Sequence, residues 1–355
     1  MSSVRRMNTQ HPNRRPASPR ASGGDRTGLE VRLAARPVGR PTIADFTLVR
    51  AVVPEPAVGQ VLVRNRVLSL EAGMRLRMSD VGVPLPLYAV GEAMDGDAIG
   101  EVIAGTGPGL AVGDLVRHTR GWREYALADA ASFTRVDPEA FPTLSAHLAP
   151  HLTAWVGLVD VARLAAGETV FVSGAAGAVG GLAGQIARCR GAGRVVGSAG
   201  TPAKVAHLTG KLGFDAAFDY HDGPPADRLR EIAPDGLDVY FDNTGGAQLQ
   251  AAIEVMNPRG RIVLCGALAS QHGPGQPGPS NLVLAVAKRL TLQGFLTRDH
   301  LARARVIDTE VGGWLRDGRI RLDETVVDGL DNAAQAFVDM VHGAYTGKIV
   351  VRLPW

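Results

Sequence analysis

The spacing of apolar and polar positions divides the chain in two. From Gln60 to Leu68 the run QVLVRNRVL alternates apolar and polar residues, and GDAIGEVIAG and AVGDLV add short apolar stretches punctuated by glycine up to Val116. A period of two turns one side of an extended chain toward a core and the other toward water. This portion therefore reads as a compact β-rich domain. Helical spacing is weak before residue 140 and emerges between Ser145 and Leu164, a segment broken mainly by Pro150, which predicts one or two helices there.

Beyond this point strand and helix signals alternate. TVFVSG (Thr169 to Gly174) predicts a buried strand, GAVGGLAGQIARCRG a helix, RVVGSAG a strand, PAKVAHLTGKLG a helix and AAFDY a third strand. A helix from Ala226 to Ile232, the strand LDVYFDNTG, a helix from Ala247 to Met256 and the strand RIVLCGAL follow. Such alternation predicts an α/β, doubly wound parallel sheet covered on both faces. Near Leu315 the texture returns to short strands, RIRLDETVV and KIVVRL, flanking a helix at Asn332 to Val341. The nucleotide-binding type of fold, residues 146–314, is thus expected as an insertion within a β-rich domain formed by 29–145 and 315–355.

With 355 residues and 45% hydrophobic content, the chain is long enough for two cores. No apolar run reaches the roughly 18 residues that cross a bilayer, so a membrane protein is not expected. The chain is basic, but residues 1–28 carry Arg5, Arg6, Arg14, Arg15, Arg20 and Arg26 against Asp25 alone. Their net +5 leaves the rest near −2, so the basicity belongs to a tail rather than to a nucleic-acid-binding face. Pro12, Pro16 and Pro19 argue for disorder in that tail and against a targeting helix. Two cysteines, Cys189 and Cys265, are too few for a disulfide framework or a cysteine-ligated zinc site and fit a reducing cytoplasm.

The chemistry concentrates in SGAAGAVG. Gly174, Gly177 and Gly180, with Ala176, Ala178 and Val179 between them, follow a buried strand and open a helix. Glycine serves where a chain turns tightly and where backbone must approach a pyrophosphate, whose charge the free amides of a helix start then hold. A ligand-free glycine turn is the bland alternative. The next strand bears on the type of dinucleotide, because a carboxylate at its end binds the adenosine ribose hydroxyls of NAD. RVVGSAGTPAK holds no acid there and offers Ser198, Gly200, Thr201 and Lys204, which suit a 2′-phosphate. NADPH is the expected cofactor, against the alternative that Lys204 is a solvated lysine at a helix start.

The series GAAGAVG, VVGSAG, KLGFDAAFDY, LDVYFDNTGG and RIVLCGAL, with MRLRMSD, VGEAM and GWREYA upstream, resembles the leukotriene B4 dehydrogenase/prostaglandin reductase branch of the medium-chain dehydrogenases/reductases, which includes curcumin and alkenal double-bond reductases. The resemblance covers roughly residues 30 to 355 and implies a GroES-like catalytic domain carrying an inserted Rossmann domain, and a homodimer. It implies that Lys204 and Tyr220 contact the 2′-phosphate and Asn243 the nicotinamide half. Cys265, Gly266 and Ala267, with Phe295 and Leu296, then line the nicotinamide through their backbones. The apolar strand RIVLCGAL, taken to lie near the sheet edge, also favours pairing with a second copy.

The zinc enzymes of the superfamily carry a GHE motif and a catalytic Cys/His set, whereas this chain has Val90–Gly91–Glu92 and no cysteine nearby. Metal-free hydride transfer to the β-carbon of an activated alkene is what the resemblance implies. Departures gather around the substrate. Gln271 stands where the family commonly has a carbonyl-polarising Tyr, Gly73 replaces an aromatic before Met-Arg, and Tyr345 replaces an Asn two residues before Gly-Lys beside the cofactor. Tyr88, Arg75, Gln271, His272 and Tyr345 are the polar candidates for the pocket, and Gln271, Tyr88 and His272 the candidate catalytic residues. For His272 the alternative is a solvated loop histidine, and for Tyr88 a place in the barrel core. The substrate expected is a small-molecule enone. Carbonyl or quinone reduction on the same scaffold, and an NADPH-binding protein without redox activity, are the other readings.

Overall fold

The structure is a computed structural model that describes residues 26–80, 82, 85–270 and 278–354. A hairpin of β1 (Thr27–Leu33) and β2 (Phe46–Val52) opens the chain. The strand β1 starts inside the stretch assigned above to the tail, whose residues 1–25 lie outside the described residues. There follow β3 (Gln60–Leu70), β4 (Ala98–Gly105), β5 (Leu115–His118), β6 (Tyr125–Asp129) and β7 (Thr134–Arg135). The long β3 is central because almost every position along it is buried or half-buried, so it accepts neighbours on both edges.

The segment from Ser145 to Leu164 forms a 3-10 turn at Ser145–Leu148, the short helix α1 (His151–Val156) and a π-turn at Gly157–Val161. Pro150 stands at the N-cap of α1, which explains the break. Next come β8 (Thr169–Val172), α2 (Ala178–Cys189), β9 (Arg194–Ala199), α3 (Pro202–Gly210), β10 (Ala216–Asp219), α4 (Pro225–Ile232), β11 (Leu237–Asp242), α5 (Gly246–Val255) and β12 (Met256–Leu264). The segment closes with α6 (Leu282–Lys288), β13 (Thr291–Gly294) and α7 (Ala304–Arg316). The chain ends in β14 (Glu324–Asp328), α8 (Ala333–Val341) and β15 (Lys348–Arg352).

Strands β8 to β13 form one six-stranded, wholly parallel sheet in the order β10-β9-β8-β11-β12-β13. The order runs outward in opposite directions from β8 and β11, so the crevice above their C-terminal ends is the switch point where such sheets bind dinucleotides. Its two faces are covered by separate apolar layers. Val170, Val172, Phe241 and Val263 pack with α1, α2 and α7 on one face, and Phe171, Val196, Tyr240 and Ile262 with α4 and α5 on the other. Strand β12 lies one strand in from the edge, with β11 and β13 on its flanks, so RIVLCGAL is near the edge but is not the exposed pairing surface expected of it; the edge belongs to β13.

The second sheet joins both ends of the chain, in the order β14-β15-β3-β4-β5-β7 with β6 also paired to β3. Its core gathers Leu68, Leu70, Met94, Trp122, Phe337 and Val351, with Phe46 stacked on Trp122 at a ring distance of 5.9 Å. Because β15 lies antiparallel to β3, the last strand draws the residues just before it, Gly343 to Gly347, against the parallel sheet.

Candidate dinucleotide site

The turn after β8 has the geometry its glycines foretell. Gly174 sits at φ +57°, and Gly177 is the N-cap of α2. A Cβ on Gly180 would stand 2.5 Å from the Gly174 carbonyl oxygen and 2.7 Å from Ala175 Cα, so only glycine lets the helix start pack this closely. No side chain caps α2, which leaves the amides of Ala178, Val179 and Gly180 directed into the crevice.

The neighbouring strand end supplies the cation. Thr201 caps α3 by accepting from the Lys204 amide at 3.2 Å, with Pro202 at the first helical position. That aims Lys204 outward, and its Nζ donates to the Gly343 carbonyl at 2.7 Å. Partial burial lowers the ammonium's pKa. The Tyr220 hydroxyl lies over Gly200, where an added Cβ would come within 2.8 Å of it. Gly200, Thr201, Lys204 and Tyr220 are thus brought together. Ser198 is not: it is fully buried and donates to Gln248 Oε1 at 2.5 Å, so its side chain faces α5 rather than the crevice.

At the end of β11 a buried network fixes the other wall. Asp242 Oδ1 accepts from Tyr240 at 2.7 Å, from Ser173 at 3.1 Å and from the Thr244 and Gly245 amides at 2.9 and 2.7 Å. The Asn243 Nδ2 donates to the Ser173 carbonyl at 2.8 Å, tying this turn to the glycine turn. The Asp242 carbonyl accepts from the amides of Cys265 and Gly266. A Cβ on Gly266 would lie 2.8 Å from the Asn243 carbonyl oxygen, so Cys265 to Ala267 are held hard against Asn243. Burial, and secondarily the Asp242 charge, push the Cys265 thiol up to about 12, which keeps it protonated and unreactive. Phe295 packs partly into the core beside α1, and Leu296 is exposed.

The remaining candidates fare differently. Tyr88 is buried in the β-domain core, its hydroxyl donates to the Asp95 carbonyl at 2.7 Å, and Arg77 stacks on its ring at 4.1 Å. Burial raises its pKa well above the usual phenol range. A phenol so committed holds the loop from Tyr88 to Asp95 and offers no proton to a cleft. Tyr345 packs against the same core, with its hydroxyl donating to Asp339 at 3.3 Å. Arg75 is buried and donates to the Gly39 carbonyl at 2.6 Å. Gln271 and His272 lie outside the described residues.

Several residues at the site had no local signal in the sequence. The Gly347 amide donates to the Ala176 carbonyl at 2.8 Å, and Gly347 pairs with Gly177. His207 on α3 lies 2.8 Å from Asp323. Among the described residues no group of three or more His, Cys, Asp or Glu side chains is placed to hold a metal ion.

A switch-point crevice with a glycine turn on one wall, bridged through Gly347 to the last strand of a β-domain, is the build of the medium-chain dehydrogenases/reductases. Comparison with known proteins gives the branch. Residues 30–136 match the family described as the N-terminal domain of oxidoreductase, and residues 178–309 the one described as zinc-binding dehydrogenase. The chain is 36% identical over 330 residues to the NADPH-dependent curcumin reductase of Escherichia coli, spanning 90% of this chain and 95% of that one. It is 35% identical to prostaglandin reductase 1 of Rattus norvegicus, spanning 88% and 95% respectively. The crystal structure of CurA from Vibrio vulnificus in complex with NADPH superposes with a TM-score of 0.86 at 33% identity, over 92% of this chain and 99% of that one. The chain belongs to the curcumin reductase and prostaglandin reductase branch of the medium-chain dehydrogenase/reductase superfamily.

Proposed function

We propose that this protein is an NADPH-dependent reductase of the carbon–carbon double bond in α,β-unsaturated carbonyl compounds. The observation that carries the reading is the pairing of an uncapped glycine turn at the switch point with Lys204 and Tyr220 at a strand end free of acid. The relatives' printed names, an NADPH-dependent curcumin reductase and a prostaglandin reductase, support it.

The site residues present fit NADPH. The amides of Ala178, Val179 and Gly180 would hold the pyrophosphate, and Lys204, Thr201 and Tyr220 the 2′-phosphate. Asn243, Cys265 to Ala267, Phe295 and Leu296 would hold the nicotinamide. When bound, the cofactor supplies a hydride. The chain's own part is to keep water from the crevice, to fix the ring's orientation through the zipped turns at Asn243 and Gly266, and to polarise the substrate carbonyl. If Gln271 holds the position the resemblance gives it, its amide would donate a hydrogen bond to that oxygen but release no proton at neutral pH. The α-carbon's proton therefore comes from water or another side chain. We further propose that the protein works as a homodimer in the cytoplasm.

The test is NADPH oxidation with a panel of enones and enals, with product analysis. Saturated carbonyl products support the reading; allylic alcohols point to carbonyl reduction, and no turnover with any member points to a binding protein. No ligand cluster exists among the described residues, so prolonged dialysis against a chelator should leave the rate unchanged. A rate lost and restored by zinc would overturn the metal-free mechanism.

A further inference from the structure

A charged cluster lies where the two sheets meet, apart from the residues assigned so far. Lys348, the first residue of β15, is almost wholly buried, and its Nζ donates to Ser69 Oγ and, at 3.2 Å, to Glu71 Oε1. Ser69 Oγ also donates to Glu71 Oε1, at 2.7 Å. Both bonds to the carboxylate thus fall on one oxygen, Oε1. Glu71 is half-exposed, whereas Lys348 is sealed. Burial pushes the Glu71 carboxyl upward, but the Lys348 charge and the bonds from Ser69 and Lys348 outweigh it and hold the group below its usual value. At neutral pH it is a fixed anion, able only to accept hydrogen bonds.

Its position follows from the chain. Gly343 accepts from Lys204 at the adenosine end, Gly347 pairs with Gly177 of the pyrophosphate turn, and Lys348 is next, reaching Ser69 and Glu71 at the end of β3. Residues 343, 347 and 348 therefore step along the crevice from its 2′-phosphate end, past the pyrophosphate, toward its nicotinamide end. An anion there repels phosphate and suits hydroxyl donors. The carboxamide of the nicotinamide is left to the backbone of Cys265 to Ala267 and of Phe295 to Leu296. The ribose hydroxyls remain as donors. Burying an ion pair contributes little to stability once its desolvation is counted, so the fixed geometry of Glu71 has more to do with what its free oxygen meets.

We propose that Glu71, aimed by Lys348 and Ser69, accepts a hydrogen bond from a hydroxyl of the nicotinamide ribose and so seats the reactive half of the cofactor. The inference rests on the cofactor reading above. It is tested by equilibrium binding of NADPH and of adenosine 2′,5′-bisphosphate, which lacks the nicotinamide half, to wild type, Glu71→Gln and Lys204→Ala, with thermal melts to confirm folding. Glu71→Gln should weaken NADPH about tenfold, as for loss of a charge-assisted bond with a neutral acceptor left behind, and leave the bisphosphate unchanged. Lys204→Ala should weaken both. Glu71→Asp, which keeps the charge but withdraws it by one methylene, should give the same NADPH-only loss and stands in if the Gln variant fails to fold. Equal loss for both ligands, or no loss for NADPH, overturns the proposal and leaves the cluster a structural clasp. Wild-type protein that binds neither ligand overturns the cofactor reading itself, and this proposal with it.

Discussion

Lys204 meets two competing demands. Its ammonium bonds the Gly343 carbonyl, a neutral acceptor, and is partly withdrawn from water. A 2′-phosphate offers a dianion instead, and a charge-assisted bond is roughly twice as strong as a neutral one. With no acid at the end of β9 to repel that phosphate, NADPH should bind far more tightly than NADH. Lys204→Ala should raise the NADPH dissociation constant by about tenfold to a hundredfold, the equivalent of roughly 1.5 to 3 kcal/mol, and leave NADH nearly unchanged. Fluorescence titration with both cofactors reads the difference, which should shrink as salt is added. Equal wild-type affinities for the two would remove Lys204 from the role.

At the scale of elements, β5 shows how burial shapes the response to pH. His118 at its end is buried, packs edge-on against Phe133 at 5.1 Å, and its Nδ1 accepts from the Arg120 amide at 3.0 Å, a bond only the neutral ring makes. Burial first, then the charges of Arg123 and Arg120, lower its pKa to about 3. In the unfolded chain the imidazole titrates near 6.5, so below that pH the unfolded state binds a proton that the folded state refuses. Stability is unaffected by this group above pH 6.5 and is lost as pH falls from there toward 3, by up to about 1.4 kcal/mol per unit. Urea midpoints between pH 7 and pH 4.5 should fall more steeply in wild type than in His118→Asn, whose amide oxygen keeps the Arg120 bond. Parallel curves would show that the ring reaches water.

The same scale shows what sequence reveals. TVFV, LDVYFD and RVVGSA declare themselves because strands covered on both faces must be apolar throughout, and the glycine turn because only glycine fits its φ and its close approach. The strand β13, TLQG, carries no such run, being short and largely exposed, so its presence outside β12 is hidden and RIVLCGAL reads as the pairing surface that β13 in fact supplies. Ser198 reads as a phosphate partner because it stands near the end of an acid-free strand, yet Gln248, fifty positions away, receives its hydroxyl in the core. The clasp of Ser69 with Lys348 spans 279 positions and that of His207 with Asp323 spans 116; no local spacing connects such partners. Motifs made from contiguous backbone were legible, while contacts made by the closing of β15 on β3 were not.

For the whole molecule, the open side of the parallel sheet carries the remaining prediction. Among the described residues β13 pairs only with β12 and its other edge carries no strand, a feature proteins cover or blunt to avoid indiscriminate pairing. Beside it, α6 has no buried residue and exposes Leu282, Val283 and Val286. An unpaired edge flanked by an apolar helix face has the makings of an isologous contact, in which the same patch serves both copies and the two sheets continue into each other. The opposite edge, β10, is flanked by α3, whose exposed positions are small (Ala203, Ala206, Thr209), and by α4, whose exposed positions are charged (Asp227, Arg230, Glu231); neither helix exposes a large apolar side chain. Light scattering at micromolar concentration should therefore give about twice the chain mass of 37.3 kDa. Substituting Val283→Glu and Val286→Glu together should shift the species toward monomer by placing like charges across the twofold axis, with little effect on the melting of each subunit because both side chains are exposed. A wild-type monomer at that concentration, or a double variant that remains a dimer, would exclude this edge as the contact.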